Sequence, residues 1–264
     1  MPQTISGAFP AAIVMRGLHL LNLSMDESLD AIAIALQRRL NLRIAFVNAD
    51  CVNIAARDEA YREALAEIDW LFIDGVGMRL AGGWMRQPVR DNVNGTDLFP
   101  HLCELLDRRG ASMYLLGARP GVADAVASWV KERYPQLRIA GVQHGYYKDE
   151  EQDDVIAAIR DSKADVLLVA MGAPRQEIWL KQHLAASGAR VGVGVGGLFD
   201  FYSGRVERAP RWLRACGGEW LFRLVQEPRR LWRRYLLGNF VFLWRIIGSE
   251  RVHRRERKDM EEYS

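Results

Sequence analysis

Short apolar runs alternate with longer segments whose apolar side chains recur every three or four positions, from about residue 27 to about residue 200. The short runs lie near 43–47, 70–73, 113–116, 138–142, 166–170 and 191–195 and predict buried strands. The longer segments predict helices over about 27–40, 49–67, 96–109, 120–133 and 150–161, with another after Pro174. Asp26 or Ser28 stands where the first helix needs a cap, and Thr96 where the third does. Strand and helix in strict alternation predict a parallel sheet covered by helices on both faces.

The pattern is densest between Asp165 and Pro210. The run Val166–Ala170 leads into a tight turn at Gly172-Ala173-Pro174 and a helix whose first turn holds Arg175, Gln176 and Glu177. A second run, Val191–Val195, ends at Gly196-Gly197 and delivers Asp200 into a loop. Polar groups then gather at the carboxyl ends of the strands, where open α/β sheets bind ligands. Glycines there admit a ligand to the backbone, and a helix N-terminus favours an anion such as a diphosphate. Gly192, Gly194 and Gly197 also spell G-x-G-x-x-G. These glycines fall inside a strand, with no clear helix behind them and no acidic residue about 20 positions on, which argues against a dinucleotide site.

After Gly204 the pattern changes. Trp212, Trp220, Leu221, Leu224, Leu231, Trp232, Tyr235 and Leu236 interleave with arginines at near-helical spacing, with Pro228 as a break. Two or three short amphipathic helices outside the sheet are expected. The chain therefore divides into an α/β domain over 1–204 and a basic, Trp/Arg-rich helical appendage over 205–264.

Charge sharpens this division. The chain carries a net +3, yet from Arg205 to Lys258 fifteen basic residues oppose five glutamates, a net +10, and residues 1–204 carry −4. Such a tail seeks a polyanion. Its apolar load (Phe240, Phe242, Leu243, Trp244, Ile246, Ile247) favours an anionic membrane surface over nucleic acid. The domain itself or a second copy of the chain is the other candidate to cover that face. No uncharged apolar stretch reaches the roughly 18 residues that span a bilayer, and no signal peptide is evident, so a soluble or peripheral protein is expected. Cys51, Cys103 and Cys216 have no metal spacing and are expected to be small buried residues in a reducing cytoplasm.

Several strands end in a polar residue beside a small one: Asn48-Ala49, Asp74-Gly75 and Gly117-Ala118-Arg119. Asp74 is the best candidate for a general base, with an Asp-Gly turn as the alternative. Asn48 either positions a hydroxyl or caps the next helix. The acidic run 149–154 has no D-x-D pair and opens a helix, and the histidines are scattered, so no metal site is expected.

These features together resemble the WecG/TagA/CpsF glycosyltransferases, glycosyltransferase family 26, from about Gly17 to Phe242. The resemblance rests on Asp74-Gly75, Asn94-Gly-Thr-Asp97, Leu116-Gly117 with Pro120-Gly121, and Gly145-Tyr146-Tyr147. Further marks are Met171-Gly-x-Pro-Arg-Gln-Glu177, Val195-Gly-Gly-x-Phe-Asp200, Arg208-Ala-Pro210 and Glu219-Trp-x-x-Arg-Leu224. It implies a Rossmann-like fold and an inverting β-1,4 transferase that moves a hexose from a UDP-sugar to O4 of a sugar on undecaprenyl diphosphate. The setting it implies is exopolysaccharide or other cell-surface polysaccharide synthesis, at the cytoplasmic face of the bacterial inner membrane. By resemblance Asp74 is the base, Asn48 and Gln176 serve the reacting sugars, and Arg223, Arg230 and Arg233 complete the site from the appendage. Thr96, Asp97, Gly117, Arg119, Gly172, Pro174, Gly196, Gly197 and Asp200 are the expected substrate-binding positions. Arginines would stabilise the departing diphosphate without a metal or other cofactor. In one respect the chain departs from the teichoic-acid members, which carry threonine two residues before the asparagine. Here Phe46 stands there, and a donor such as UDP-glucose competes with UDP-N-acetylmannosamine. A non-enzymatic, membrane-associated nucleotide-binding module would keep the glycine turns and basic tail without needing Asp74.

Overall fold

The computed structural model describes residues 12–248, apart from the side chains of residues 211, 215 and 230. An antiparallel pair, β1 (Ile13–Met15) and β2 (Leu18–Leu20), precedes α1 (Met25–Gln37), β3 (Leu42–Val47), α2 (Ala49–Ala55) and α3 (Glu59–Ala66). Then come β4 (Trp70–Ile73), α4 (Val76–Trp84), α5 (Gly95–Arg108), β5 (Ser112–Gly117), α6 (Val122–Arg133) and β6 (Arg138–Gln143). The domain closes with α7 (Gln152–Ser162), β7 (Val166–Ala170), α8 (Arg175–Ser187), β8 (Val191–Gly194) and α9 (Leu198–Tyr202). The appendage comprises α10 (Arg211–Ala215), α11 (Glu219–Gln226) and α12 (Pro228–Trp232), which continues through a π-helical turn, Arg233–Leu237, into a helix over 238–248.

Strands β3 to β8 form one parallel sheet in the order β4-β3-β8-β7-β5-β6. This is the Rossmann-like α/β architecture with an added set of C-terminal helices. Central strands β5, β7 and β8 are buried along their whole length, whereas edge strand β6 is half-exposed. One apolar layer (Val47, Leu116, Leu167, Leu180) covers one face of the sheet, and another (Phe46, Phe72, Leu115, Phe199) covers the other. Phe242 and Ile246 of the terminal helix are fully buried in the first layer, so the appendage is rooted in the body.

The differences from the sequence reading have local causes. The β1–β2 hairpin is only three residues per strand, too short for its alternation to stand out. The expected helix over 49–67 is two helices, because Asp58 leaves helical geometry and its carboxylate accepts from the Tyr61 N–H. Ser24, not Asp26 or Ser28, caps α1, and a reciprocal bond from the Ser24 N–H to Glu27 completes a capping box. Asn94, not Thr96, caps α5. Helix α4 was hidden by Gly82 and Gly83, poor helix formers. At Gly82 a Cβ would stand 2.7 Å from the Gln87 carbonyl oxygen. A helix does follow Gly197, and Asp200 lies in it rather than in a loop. Cys51 and Cys103 are buried as expected, but Cys216 is exposed at the end of α10.

Glycines in the core act by absence of side chain. A Cβ on Gly192 would meet Leu180 and Leu184 at 2.6 and 2.7 Å, so α8 lies directly on β8. Gly117 is more constrained, with φ +132° and a Cβ position 2.5 Å from the Ala170 carbonyl oxygen. Gly117→Ala is expected to lower stability by about 3 kcal/mol, through overpacking and backbone strain. Urea denaturation monitored by circular dichroism measures it, and an unchanged midpoint would contradict this packing.

Candidate active site

Parallel pairing sets Val47 opposite Ile73, so the residues that follow them, Asn48 and Asp74, emerge side by side at the carboxyl edge. The Asp74 N–H donates to the Val47 carbonyl oxygen (3.0 Å). Gly75, at φ +91°, then turns the chain, and its N–H donates to Asn92 Oδ1 (2.7 Å). The Asn48 Oδ1 accepts from the N–H groups of Asp50 and Cys51, capping α2. Its amide also hydrogen-bonds Asp74. The two alternatives for Asn48 are thus compatible: capping fixes the side chain in the position from which it holds the carboxylate.

Asp74 faces a cleft of about 200 Å³ between the sheet edge and the appendage. Burial pushes its carboxyl up to about 6; Arg234 and the Asn48 hydrogen bond oppose the rise, while Glu219 and Asp97 add to it. A carboxylate tuned this way is ionised at neutral pH yet basic enough to accept a proton.

The appendage supplies the cations. Arg223 lines the cleft, stacks on Phe201 at 4.7 Å, and lies so close to Gly197 that a Cβ there would be 2.8 Å from its Nη2. Arg234 also lines the cleft and pairs with Asp50 (3.0 Å). Sequence reasoning missed Arg234 and singled out its neighbour Arg233, which sits over the Trp232 ring at 5.3 Å and outside the cleft lining. Arg230 is on α12, and its side chain lies outside those described. Cleft residues Arg214, Glu219, Trp220 and Tyr235 were also missed as site residues; their signals were the Glu219-Trp220 motif and the interleaving of arginine with aromatics in the tail.

Of the other expected positions, Thr96 lines the cleft and accepts the Tyr202 hydroxyl on its carbonyl (2.7 Å). Asp97 lies in an adjoining cavity, where its Oδ1 accepts from Arg208 (2.8 Å) and Arg214 (3.3 Å) and its Oδ2 from Asn94 (2.7 Å). It ties the appendage to the body. Gly117, Arg119, Gly172, Pro174, Gly196 and Asp200 are outside the cleft lining. Asp200 stands 3.9 Å from Arg205.

Gln176 is buried and acts through the backbone. Its Oε1 accepts from both the Gly172 N–H (3.1 Å) and the Gly196 N–H (2.8 Å), while its Nε2 donates to Glu177 (2.7 Å). One amide thus joins the turns after β7 and β8. Gly194 leaves room for it, since a Cβ there would be 2.9 Å from Nε2. Glu177 is fully buried, and burial pushes its carboxyl up to about 7. Phe46 also works from beneath: its ring supports the start of α5, 3.1 Å from where a Gly95 Cβ would lie, and it is not part of the cleft lining.

Among the described residues no cluster of three metal-ligating side chains occurs. The carboxylates around Asp74 are engaged with arginines: Asp50 with Arg234, Asp97 with Arg208 and Arg214, and Glu219 with Arg208.

The site is thus a carboxylate of raised pKa at the carboxyl edge of a parallel sheet, in a cleft lined by Arg214, Arg223 and Arg234 of the appendage. The chain belongs to the glycosyl transferase WecG/TagA/CpsF family, whose profile matches residues 13–257. Among its relatives are N-acetylglucosaminyldiphosphoundecaprenol N-acetyl-beta-D-mannosaminyltransferases. That of Bacillus subtilis (strain 168) is 29% identical over 76% of this chain and 77% of the relative. That of Staphylococcus aureus (strain MW2) is 30% identical over 80% and 82%, and that of Bacillus spizizenii (strain ATCC 23059 / NRRL B-14472 / W23) 34% over 69% and 70%.

The tuning of Asp74 predicts an acid limb at about pH 6 in the pH dependence of kcat/KM, since a base must be ionised. Arg234→Gln removes a charge that favours the carboxylate and should move the limb upward. Glu219→Gln removes one that disfavours it and should move the limb downward. Limbs that coincide in all three proteins would show that another group titrates.

Proposed function

We propose that this protein is an inverting hexosyltransferase that moves a sugar from UDP to O4 of a sugar carried on undecaprenyl diphosphate. The observation that carries this reading is the Asp74 carboxylate, held by Asn48 at the floor of a cleft that Arg223 and Arg234 overhang. Asp74 takes the acceptor hydroxyl proton as the oxygen attacks the anomeric carbon. The bond from that carbon to the diphosphate breaks on the opposite face, giving inversion and a β-1,4 linkage. UDP leaves with its developing charge met by arginine, whose planar fork matches phosphate oxygens. A nucleotide-binding module would have no use for a raised carboxylate in the floor of its cleft, which favours the enzymatic reading.

The relatives are named for transfer of N-acetylmannosamine to a diphosphoundecaprenol-linked N-acetylglucosamine. Phe46 puts a ring where the teichoic-acid members carry a hydroxyl, which favours a hexose without the N-acetyl group, UDP-glucose first, and an exopolysaccharide pathway. No described helix is long and apolar enough to cross a membrane. The appendage nevertheless exposes Trp212, Val225, Phe240 and Trp244, each at least 70% accessible, on a strongly basic segment. Both features support peripheral attachment to an anionic bilayer surface, on its cytoplasmic face.

Incubation with a panel of UDP-sugars and polyprenyl-diphosphate sugars should yield a disaccharide-lipid, detected by mass spectrometry; no product from any pair would refute the reading. Asp74→Asn should reduce kcat by about 100-fold or more with UDP affinity nearly intact, as for a lost general base. Wild-type turnover would remove Asp74 from that role. Because arginines meet the leaving diphosphate, activity should persist in EDTA; loss restored by magnesium or manganese would assign charge stabilisation to a metal.

A further inference from the structure

An acceptor carried on a polyprenyl diphosphate brings a diphosphate of its own. With Arg223 and Arg234 committed to the leaving nucleotide, a second anion needs another cation within reach of the cleft. Such a place exists. A second cavity opens off the cleft and shares Val76, Asn92, Arg214 and Gly217 with it. Its carboxylates are already engaged: Asp91 accepts from the N–H groups of Met25 (3.0 Å) and Asn92 (2.7 Å), and Asp97 from Arg208, Arg214 and Asn94. Arg79, on α4, lines the same cavity, is exposed, and joins no ion pair among the described residues. Its guanidinium is therefore available to an anion that enters the cavity.

The next residue is Leu80, and four further on is Trp84, one helical turn along the same face. They are 61% and 58% accessible, a large apolar pair on the body of the protein. Gly77 continues this face into the cleft, and a Cβ on it would be 3.8 Å from Asn239 of the terminal helix. Exposed Phe240 and Trp244 follow on that helix. An apolar track thus leaves the cleft over α4 toward the apolar face of the appendage.

We infer that α4 is the acceptor subsite: Arg79 contacts the lipid-linked diphosphate in the second cavity, and the isoprenoid chain leaves over Leu80 and Trp84. This rests on the proposed transferase reading and adds to it a direction of entry for the acceptor, opposite to the nucleotide. The acceptor hydroxyl then arrives at Asp74 from the α4 side, while the donor is held from the Arg223 side.

The test measures steady-state kinetics on two soluble acceptor analogues, the same sugar on a short-chain prenyl diphosphate and on a plain alkyl group. Arg79→Gln should raise KM for the diphosphate acceptor about tenfold or more, as for loss of a charge-assisted contact. Donor KM should be unchanged, and turnover of the alkyl acceptor should match wild type. A Leu80→Ser/Trp84→Ser double variant should lose the gain in kcat/KM that a longer prenyl chain gives the wild type. These three residues are solvent-exposed, and matching thermal unfolding of variants and wild type would exclude misfolding. An unchanged acceptor KM in Arg79→Gln, a rise in donor KM instead, or equal losses on both acceptors would overturn the subsite. Wild-type protein inert toward every donor and acceptor would instead overturn the transferase reading on which it rests.

Discussion

One carboxylate decides whether the C-terminal arginines reach the cleft. Asp97 sits in the first turn of α5, fixed by Asn94, and holds Arg208 and Arg214 with one oxygen. Arg208 continues to Glu219, which opens the helix that carries Arg223. This chain of ion pairs runs from the rim of the sheet to the overhang of the cleft. It is half-sheltered, so its members interact more strongly than fully exposed pairs do. Burial of Phe242 and Ile246 secures the other end of the appendage. Between these two anchors Arg234 is held against Asp50, close enough to Asp74 to act on its ionisation. The site is thus divided: the sheet provides the Asp74 carboxylate, and the appendage provides the positive charge around it.

The sheet was legible because each core strand is a nearly continuous apolar run bounded by glycine or a polar residue, the signature of a strand buried on both faces. Asp74 and Asn48 were legible for a related reason. A polar residue directly after a buried run must stand at the sheet edge, whatever the details of packing. The cleft's remaining residues were not legible from spacing. Arg233 and Arg234 are adjacent, and only the path of the helix through its π-helical turn determines which of them faces the cleft. Helix α4 was invisible because its packing demands glycine at Gly82, and the adjacent pair Gly82-Gly83 mimics a loop.

Motif membership and lining of the cleft also separate in this protein. Asp97, Gln176 and Gly117 all belong to the signatures that mark the family resemblance. In the structure each has a mechanical role, since Asp97 binds arginines, Gln176 binds backbone, and Gly117 allows β5 to approach Ala170. Such roles leave the same trace in a sequence as contact with substrate. Phe46 shows the converse, since a residue beneath the cleft can alter its shape through α5 without lining it.

The amide of Gln176 has a consequence for how such an enzyme can diversify. Its single oxygen is shared by the turns after β7 and β8, so neither loop can lengthen or shift without releasing the other. The two turns form one rigid unit and are closed to piecemeal variation. The loops after β3 and β4 and the segment before α5 are joined by separate contacts, Asn48 to Asp74 and the Gly75 N–H to Asn92, so each can change with its own partner. New sugar preferences are therefore most accessible among the lining residues after β3 and β4 and before α5, while the turns joined by Gln176, outside that lining, serve as a rigid frame.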